Sequence, residues 1–443
     1  MSVAPPRSSL LLLAYLAFVS LGLPDGLLGV GWPSISAEFG VPTGAVGLVL
    51  TAGTIGYLTS SVLAGFTLAR LGVGRLLAGS TLLASLALTG YAAAPALTVL
   101  ICCALVLGLG SGAIDSGLNA YAAGAFGPRH MNWMHAFFGL GVAIGPLVMT
   151  AMLSAGAGWR WGYAVTAAAQ LALAAAFALT VGAWRDRTGA AARPTAAPAD
   201  PAYAGVGSAP EPAMPVDAGL LPVESMGPVG PLGPAGPLGP AGPTGPTVVR
   251  IGETLRLPAV WFGALAFAVY VAIEVSAGLY AFLLLTEGRG LPAAAAGVCV
   301  SGYWGSLFVG RVVQGLVAER LGTARVLRGS LLGMAAGAVL IALPAPAWVT
   351  VAGLVVLGFA AAPVFPLLTL STAERVGQEH ADRVIGVQIG AAGIGAALIP
   401  AGLGVLLGDT SARLLGPALT VLAVALLLVH AAAARRVAPS PVG

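Results

Sequence analysis

Long apolar runs, separated by short clusters of glycine, proline and arginine, recur along this chain at 10–31, 43–68, 75–94, 96–124, 132–155, 160–183, 259–285, 293–317, 323–343, 347–373, 382–407 and 411–433. About 20 apolar residues in helical form cross a hydrocarbon core of about 30 Å. The ten-residue alternation of a membrane β-barrel is missing. The pattern therefore predicts an all-α polytopic membrane protein with twelve transmembrane helices in two sets of six. The stretch from Trp184 to Pro258 is rich in proline, alanine and glycine and too polar to span. The expected organisation is a six-helix bundle at 1–183, a largely disordered cytoplasmic linker at 184–258, a second six-helix bundle at 259–434 and a cytoplasmic tail at 435–443.

Composition agrees with that class: 58% of residues are hydrophobic and 8% charged, against about 25% charged in soluble domains. All twenty basic residues are arginine. With the N-terminus cytoplasmic, sixteen arginines fall on the inner side, and only Arg160, Arg289 and Arg413 on the outer. That asymmetry predicts a multi-pass protein of the inner (plasma) membrane with both termini in the cytoplasm. The run after Arg7 is too long for a signal peptide, so it reads as the first span. Cys102, Cys103 and Cys299 lie inside apolar runs and read as small buried packing residues. In the linker, glycine recurs at every third position from Gly227 to Gly245. A few tethered triplets suit a polyproline-II spacer or a disordered loop better than a collagen helix.

Against this apolar wall three carboxylates stand out. Asp25 lies in the first run, Asp115 in the fourth and Glu274 in the seventh. A charge at the centre of a bilayer costs about 2.5–3.5 kcal/mol on insertion scales, so it needs a task. At the helical rise Asp25 lies about 22 Å, and Asp115 about 14 Å, from the cytoplasmic side. A desolvated carboxyl takes and releases protons nearer neutral pH, as a proton-coupled carrier requires. Pro24 and Gly26 suggest an opened helix around Asp25, of the kind found at transporter sites. Asn119 follows Asp115 by one turn and Glu274 follows Tyr270 by one turn, so each pair shares a helix face. Arg311, the one span-embedded cation, is expected to meet a counter-charge such as Glu274 or to reach the interface. Trp304, Gln314 and Gln388 are further polar or aromatic candidates for solute contact, as are Asn132 and His135, one turn apart in the fifth run. No phosphate-binding glycine–lysine loop, metal-ligand cluster or nucleophile–base arrangement is present. The sequence thus predicts no enzyme, no cofactor, no metal and no nucleic-acid partner. The expected partners are a small solute, H+ and the lipid bilayer, with the protein a monomer.

The two halves repeat. Gly65-x4-Arg70-Leu71-Gly72-x2-Arg75 recurs as Gly315-x4-Arg320-Leu321-Gly322-x2-Arg325, and Leu107-Gly108 as Leu357-Gly358, all at an offset of 250. Asp25 and Glu274 are separated by 249. A duplicated loop of this form on a six-plus-six chain resembles the major facilitator superfamily. In that family the loop gates the cytoplasmic side, which implies gating roles for Arg70, Gly72, Arg75, Glu319, Arg320, Gly322 and Arg325. The first copy departs from the pattern, with Ala69 where the second has Glu319. Asp25, Asp115 and Asn119 are further similar to the fucose-permease branch of sugar transporters. So is Met131-Asn132-Trp133-Met134-His135-Ala136-Phe137-Phe138-Gly139-Leu140-Gly141, with His135 and Phe138 replacing two amides. The resemblance implies proton coupling at Asp25, with Asp115 linking protonation to substrate binding. The implied activity is alternating-access symport of a small polar solute, a sugar. Two alternatives stay open: proton-driven efflux of drugs or metabolites on the same fold, and a transporter-like sensor or scaffold.

Overall fold

The computed structural model describes residues 8–126, 128–184 and 251–436, less the side chains at 123, 124, 128, 129, 132, 251, 314–319, 378, 382 and 434–436. Residues 185–250 of the expected linker, with its glycine triplets, and 437–443 of the tail lie outside the described residues. The chain forms α1 (Ser8–Phe39), α2 (Val46–Ala93), α3 (Leu97–Ala125), α4 (Pro128–Ser154), α5 (Trp159–Thr180) and a short α6 (Ile251–Thr254). It continues as α7 (Pro258–Leu283), α8 (Ala293–Leu321), α9 (Thr323–Ala342), α10 (Ala347–Ala361), α11 (Val364–Val376), α12 (Gln378–Asp409) and α13 (Leu415–Arg436).

Eleven helical stretches are long and apolar enough to cross a bilayer, and the second, Thr43–Ala93, has 51 residues. That is about 75 Å of helix, more than twice a hydrocarbon core. It breaks at Gly72 (φ 72°, ψ 161°), so it makes two crossings and the total is twelve. Gly322, at φ 83° and ψ 142°, makes the same break between α8 and α9. These angles are open essentially only to glycine. A single glycine therefore replaces each of the loops expected at 69–74 and 318–322. α10 and α11 share one crossing, interrupted at Pro363, which cannot donate a backbone hydrogen bond. The opened backbone expected at Asp25 is absent: α1 runs unbroken through Pro24 and Pro33. One proline removes one backbone bond, and the neighbouring turns hold the helix together. Cys102 is exposed rather than buried.

Lipid is as apolar as leucine, so helices here are held by close backbone approach at small residues. A methyl carbon on Gly108 would lie 2.0 Å from the Gly53 carbonyl oxygen, locking α3 on α2. One on Gly358 would lie 2.6 Å from the Tyr303 carbonyl oxygen, locking α10 on α8. Both residues of the second contact sit 250 positions after those of the first. An added carbon on Gly141 would lie 2.0 Å from the Val19 carbonyl oxygen, and one on Gly395 2.1 Å from that of Ala268. Val19 and Ala268 are 249 apart, as are Asp25 and Glu274. The duplication is thus one of three-dimensional contacts, and Asp25 and Glu274 occupy equivalent places in the two halves.

The halves meet through α1–α7, α2–α12 and α4–α8. The close contacts gather toward the end that is poor in arginine. There Gly29 abuts Gly278 and Leu279, Gly44 abuts Val405, and Gly47 abuts Ala401. Gly393 still meets Thr54, but Gly386, two turns further on the same face of α12, meets nothing within 4 Å. The close contacts between the halves thus gather at the arginine-poor end, beside a cleft of about 580 Å³ lined by α1, α7 and α12, and thin out along α12 toward the arginine-rich end. The three arginines of the poor end are all engaged. Arg160 pairs with Glu38 and donates to the Ala94 carbonyl (2.7 Å). Arg289 donates to the carbonyls of Ile341 (2.9 Å) and Leu343 (2.6 Å), and Arg413 to that of Gly288 (2.9 Å). Each ties down a turn at that end.

Candidate functional site

Three glycines fix the direction in which Asp25 points. Gly22 and Gly26 press α1 against α4, and Gly29 presses it against α7. Asp25 stands one turn from Gly29 on the same face, so it faces the second half just past the point where the halves touch. Asp25 keeps accessible surface although it lies deep among the helices, and Pro24 and Gly26 on either side are buried. Among the described residues it has no hydrogen-bond or ion-pair partner.

Asp115 is held differently. The tight α2–α3 packing brings Tyr57 over it, and the Tyr57 hydroxyl donates to one carboxylate oxygen at 2.7 Å. The Asn119 amide donates to the other at 3.1 Å. The two donors hold both carboxylate oxygens in place. Asp115 and Asn119 are 9% and 5% exposed, and the Asn119 carbonyl oxygen is buried without a partner. Tyr57 is within electrostatic reach of Asp25 as well, so the two acids flank one phenol. His135 of α4 packs edge-on against Phe18 (5.1 Å between centroids). It is within electrostatic reach of both Asp115 and Arg311.

In the second half Glu274 is tied down on three sides. The Tyr270 hydroxyl donates to its carboxylate and lies 3.1 Å from the Ala361 carbonyl oxygen. The Tyr303 hydroxyl donates to its backbone carbonyl at 2.8 Å. Arg311 approaches its second oxygen at 3.7 Å. That distance is too long for a hydrogen bond and describes a loose ion pair. Gly278, one turn further along α7, seats the ring of Trp304 from α8; an added carbon there would lie 2.1 Å from that ring.

The structure therefore brings Asp25, Asp115, Asn119 and His135 of one half toward Glu274, Tyr270, Arg311 and Trp304 of the other. Gln388 stands apart, buried between α7, α11 and α12, where it accepts from Thr372 (3.0 Å) and packs on Gly263. The side chains of Asn132, Gln314 and Glu319 lie outside the described residues. Arg70, Gly72, Arg75, Arg320, Gly322 and Arg325 are all exposed at the arginine-rich end. Sequence reasoning missed Tyr57 and Tyr303. The signal was there in part, since Tyr57 follows Gly53 and Gly56, the small residues that let α3 come close.

The comparisons with known proteins agree with this architecture. The family model described as Major Facilitator Superfamily matches residues 14–400 and 262–442. Among solved structures, a mutant form of the nucleoside transporter NupG is similar at 14% identity and a TM-score of 0.70, covering 96% of this chain and 100% of its own. A bacterial homologue of the human lysosomal transporter Spinster, inward-facing and unoccupied, is similar at 14% identity and a TM-score of 0.67, with both chains fully covered. No curated protein sequence matches. At such identities the structural likeness is one of fold alone, but the family match spans most of the chain. This protein belongs to the Major Facilitator Superfamily and is a membrane transporter, not an enzyme.

Proposed function

We propose that the protein is a secondary active transporter that carries a small polar solute, a sugar, into the cell together with protons. The observation that carries this reading is the contrast among the three acids. Asp115 and Glu274 are each tied by named donors, whereas Asp25 has no such donor among the described residues and keeps accessible surface. A carboxylate with fixed donors is held in one position by its neighbours. One without them can bind and release a proton as the surroundings alternate between water and protein. Asp25 is the proton site on this reading. Asp115, which shares Tyr57 with it, passes the change to the solute held by Asn119, His135, Glu274, Tyr270 and Trp304.

The arginine asymmetry supports a cytoplasmic assignment for the end where the contacts thin out, which makes this the inward-facing state of an inner-membrane carrier. The exposed arginine loops at Gly72 and Gly322 then sit where the cytoplasmic gate must close. The phenols, amides and indole near the acids suit hydroxyl-rich solutes better than apolar drugs, and a single chain holds the whole site, as in a monomer. The test is uptake into proteoliposomes. Radiolabelled hexoses that raise the thermal midpoint of the purified protein are supplied with and without an inward proton gradient. Gradient-driven accumulation supports the reading; equal uptake with and without the gradient refutes proton coupling.

A further inference from the structure

The cleft of about 580 Å³ at the arginine-poor end contains none of the acids or arginine loops discussed so far. Its walls come from both halves: Trp32, Ser36 and Thr43 from the first, Tyr280, Glu287 and Thr410 from the second. The floor is buried, with Trp32 and Tyr280 at 2% and 1% exposed, while Glu287 and Thr410 stand exposed at the rim. The lining is short of free donors. The Trp32 indole donates to the Thr43 carbonyl (2.8 Å), the Tyr280 hydroxyl to that of Pro400 (2.6 Å) and the Ser36 hydroxyl to that of Pro33 (3.1 Å). Thr410 likewise donates to the Leu406 carbonyl. What these hydroxyls still offer is their oxygens, as acceptors. Three helical stretches also end here: α1 at Phe39, the wide turn Leu284–Gly288 that extends α7, and α12 at Asp409. A helix C-terminus carries about half a negative charge and carbonyls without helical partners. Glu287 adds a full charge, and it has no hydrogen-bond or ion-pair partner among the described residues. The neighbouring Arg289 and Arg413 are turned onto carbonyls and form no part of the lining.

We propose that this cleft binds a short organic ammonium ion, a primary diamine, held across the two halves. Acceptors on several sides and one unpaired carboxylate suit a ligand that is cationic and rich in N–H donors. One ammonium sits on the Glu287 carboxylate of the second half. The other meets the Ser36 hydroxyl oxygen and the carbonyl end of α1 in the first. A neutral polyol donates too, but leaves Glu287 and the helix ends without a counter-charge. The volume falls in the range of small-molecule sites and is far larger than a bare metal ion needs. Gly29 lies at the floor, and its contact with Gly278 and Leu279 stands between the cleft and Asp25, so this is a site apart from the solute's. Because its walls belong to both halves, a bound diamine clamps the arginine-poor end shut. The clamping role rests on the transport reading above, on which that end is the outer one and must reopen in every cycle.

The full chain in lipid nanodiscs is dialysed against radiolabelled 1,4-diaminobutane, with 1,4-butanediol as the uncharged competitor of equal length. The parent binds the diamine saturably, is not displaced by the diol, and binds more weakly as salt rises. Glu287→Gln weakens binding by about tenfold or more, the loss of a charge-assisted hydrogen bond, and Glu287→Asp retains most of it. Ser36→Ala weakens it by about threefold, and Asp25→Asn leaves it unchanged. In right-side-out proteoliposomes, diamine added outside lowers the maximal rate of solute uptake without raising KM. Glu287→Gln takes up solute at the parent rate and no longer responds to the diamine. A parent that binds no diamine, or binds it equally well as Glu287→Gln, overturns the proposal, as does binding that disappears with Asp25→Asn. Binding that leaves uptake at full speed overturns the clamping role. Binding as expected in a protein that takes up no solute supports the site and overturns the transport reading alone.

Discussion

Replacing Asp25 by asparagine removes the exchangeable proton with little change in shape. On the proposed reading one proton moves with the solute in each cycle, and that sets the scale of the effect. A single charge crossing a potential of about 100 mV contributes about 2.3 kcal/mol. At 1.36 kcal/mol per tenfold, that drives an accumulation of roughly 50-fold. Proteoliposomes holding a potassium diffusion potential, negative inside, should reach about that ratio with the parent protein. With Asp25→Asn they should stop near equal concentrations on both sides. Exchange of labelled for unlabelled solute should survive, since the solute-binding groups on α3, α4, α7 and α8 are untouched. The reasoning is refuted if Asp25→Asn still accumulates solute against its gradient. It is equally refuted if exchange is lost together with accumulation in a protein whose melting point is unchanged.

Three further substitutions probe the rest of the site. Tyr57→Phe deletes one of two donors to a buried carboxylate, a loss of about 1.5–3 kcal/mol; solute KM should rise by about tenfold or more, with a smaller change in turnover. Gly278→Val drives a side chain into the ring of Trp304, 2.1 Å away already at the first carbon, so solute binding by thermal shift should be lost while Gly278→Ala retains part of it. Gly72→Ala forces a residue with a side chain into φ 72°, ψ 161°, at a cost of about 1–3 kcal/mol, and should lower the melting point by several degrees in lipid.

What was legible in the sequence was set by short range and by repetition. Twelve crossings follow from run length. The Asp115–Asn119 and Tyr270–Glu274 hydrogen bonds follow from four-residue spacing on a helix. The matched offsets of the arginine loops announced a duplication that recurs in the glycine contacts of α2–α3 and α8–α10. What was not legible depends on how one helix registers against another. Tyr57 and Asp115 are 58 positions apart, and only the Gly53–Gly108 contact makes them neighbours. Gln388 looked like any polar residue in a span, yet its partner Thr372 and the gap left by Gly263 hold it inside the second half. Pro24 suggested a broken helix where α1 is continuous, because a single lost backbone bond is a weaker signal than the apolar run around it.

The central claim is that the acid of the first helix looks into water between the two halves, on the side where their contacts thin out. Asp25→Cys in a protein otherwise free of cysteine, treated with a charged, membrane-impermeant thiol reagent, tests it most directly. Labelling from the cytoplasmic face in inside-out vesicles, slowed by a transported solute, is the predicted result. A cysteine at 25 that reacts only with lipid-soluble reagents, or with none, would contradict the account.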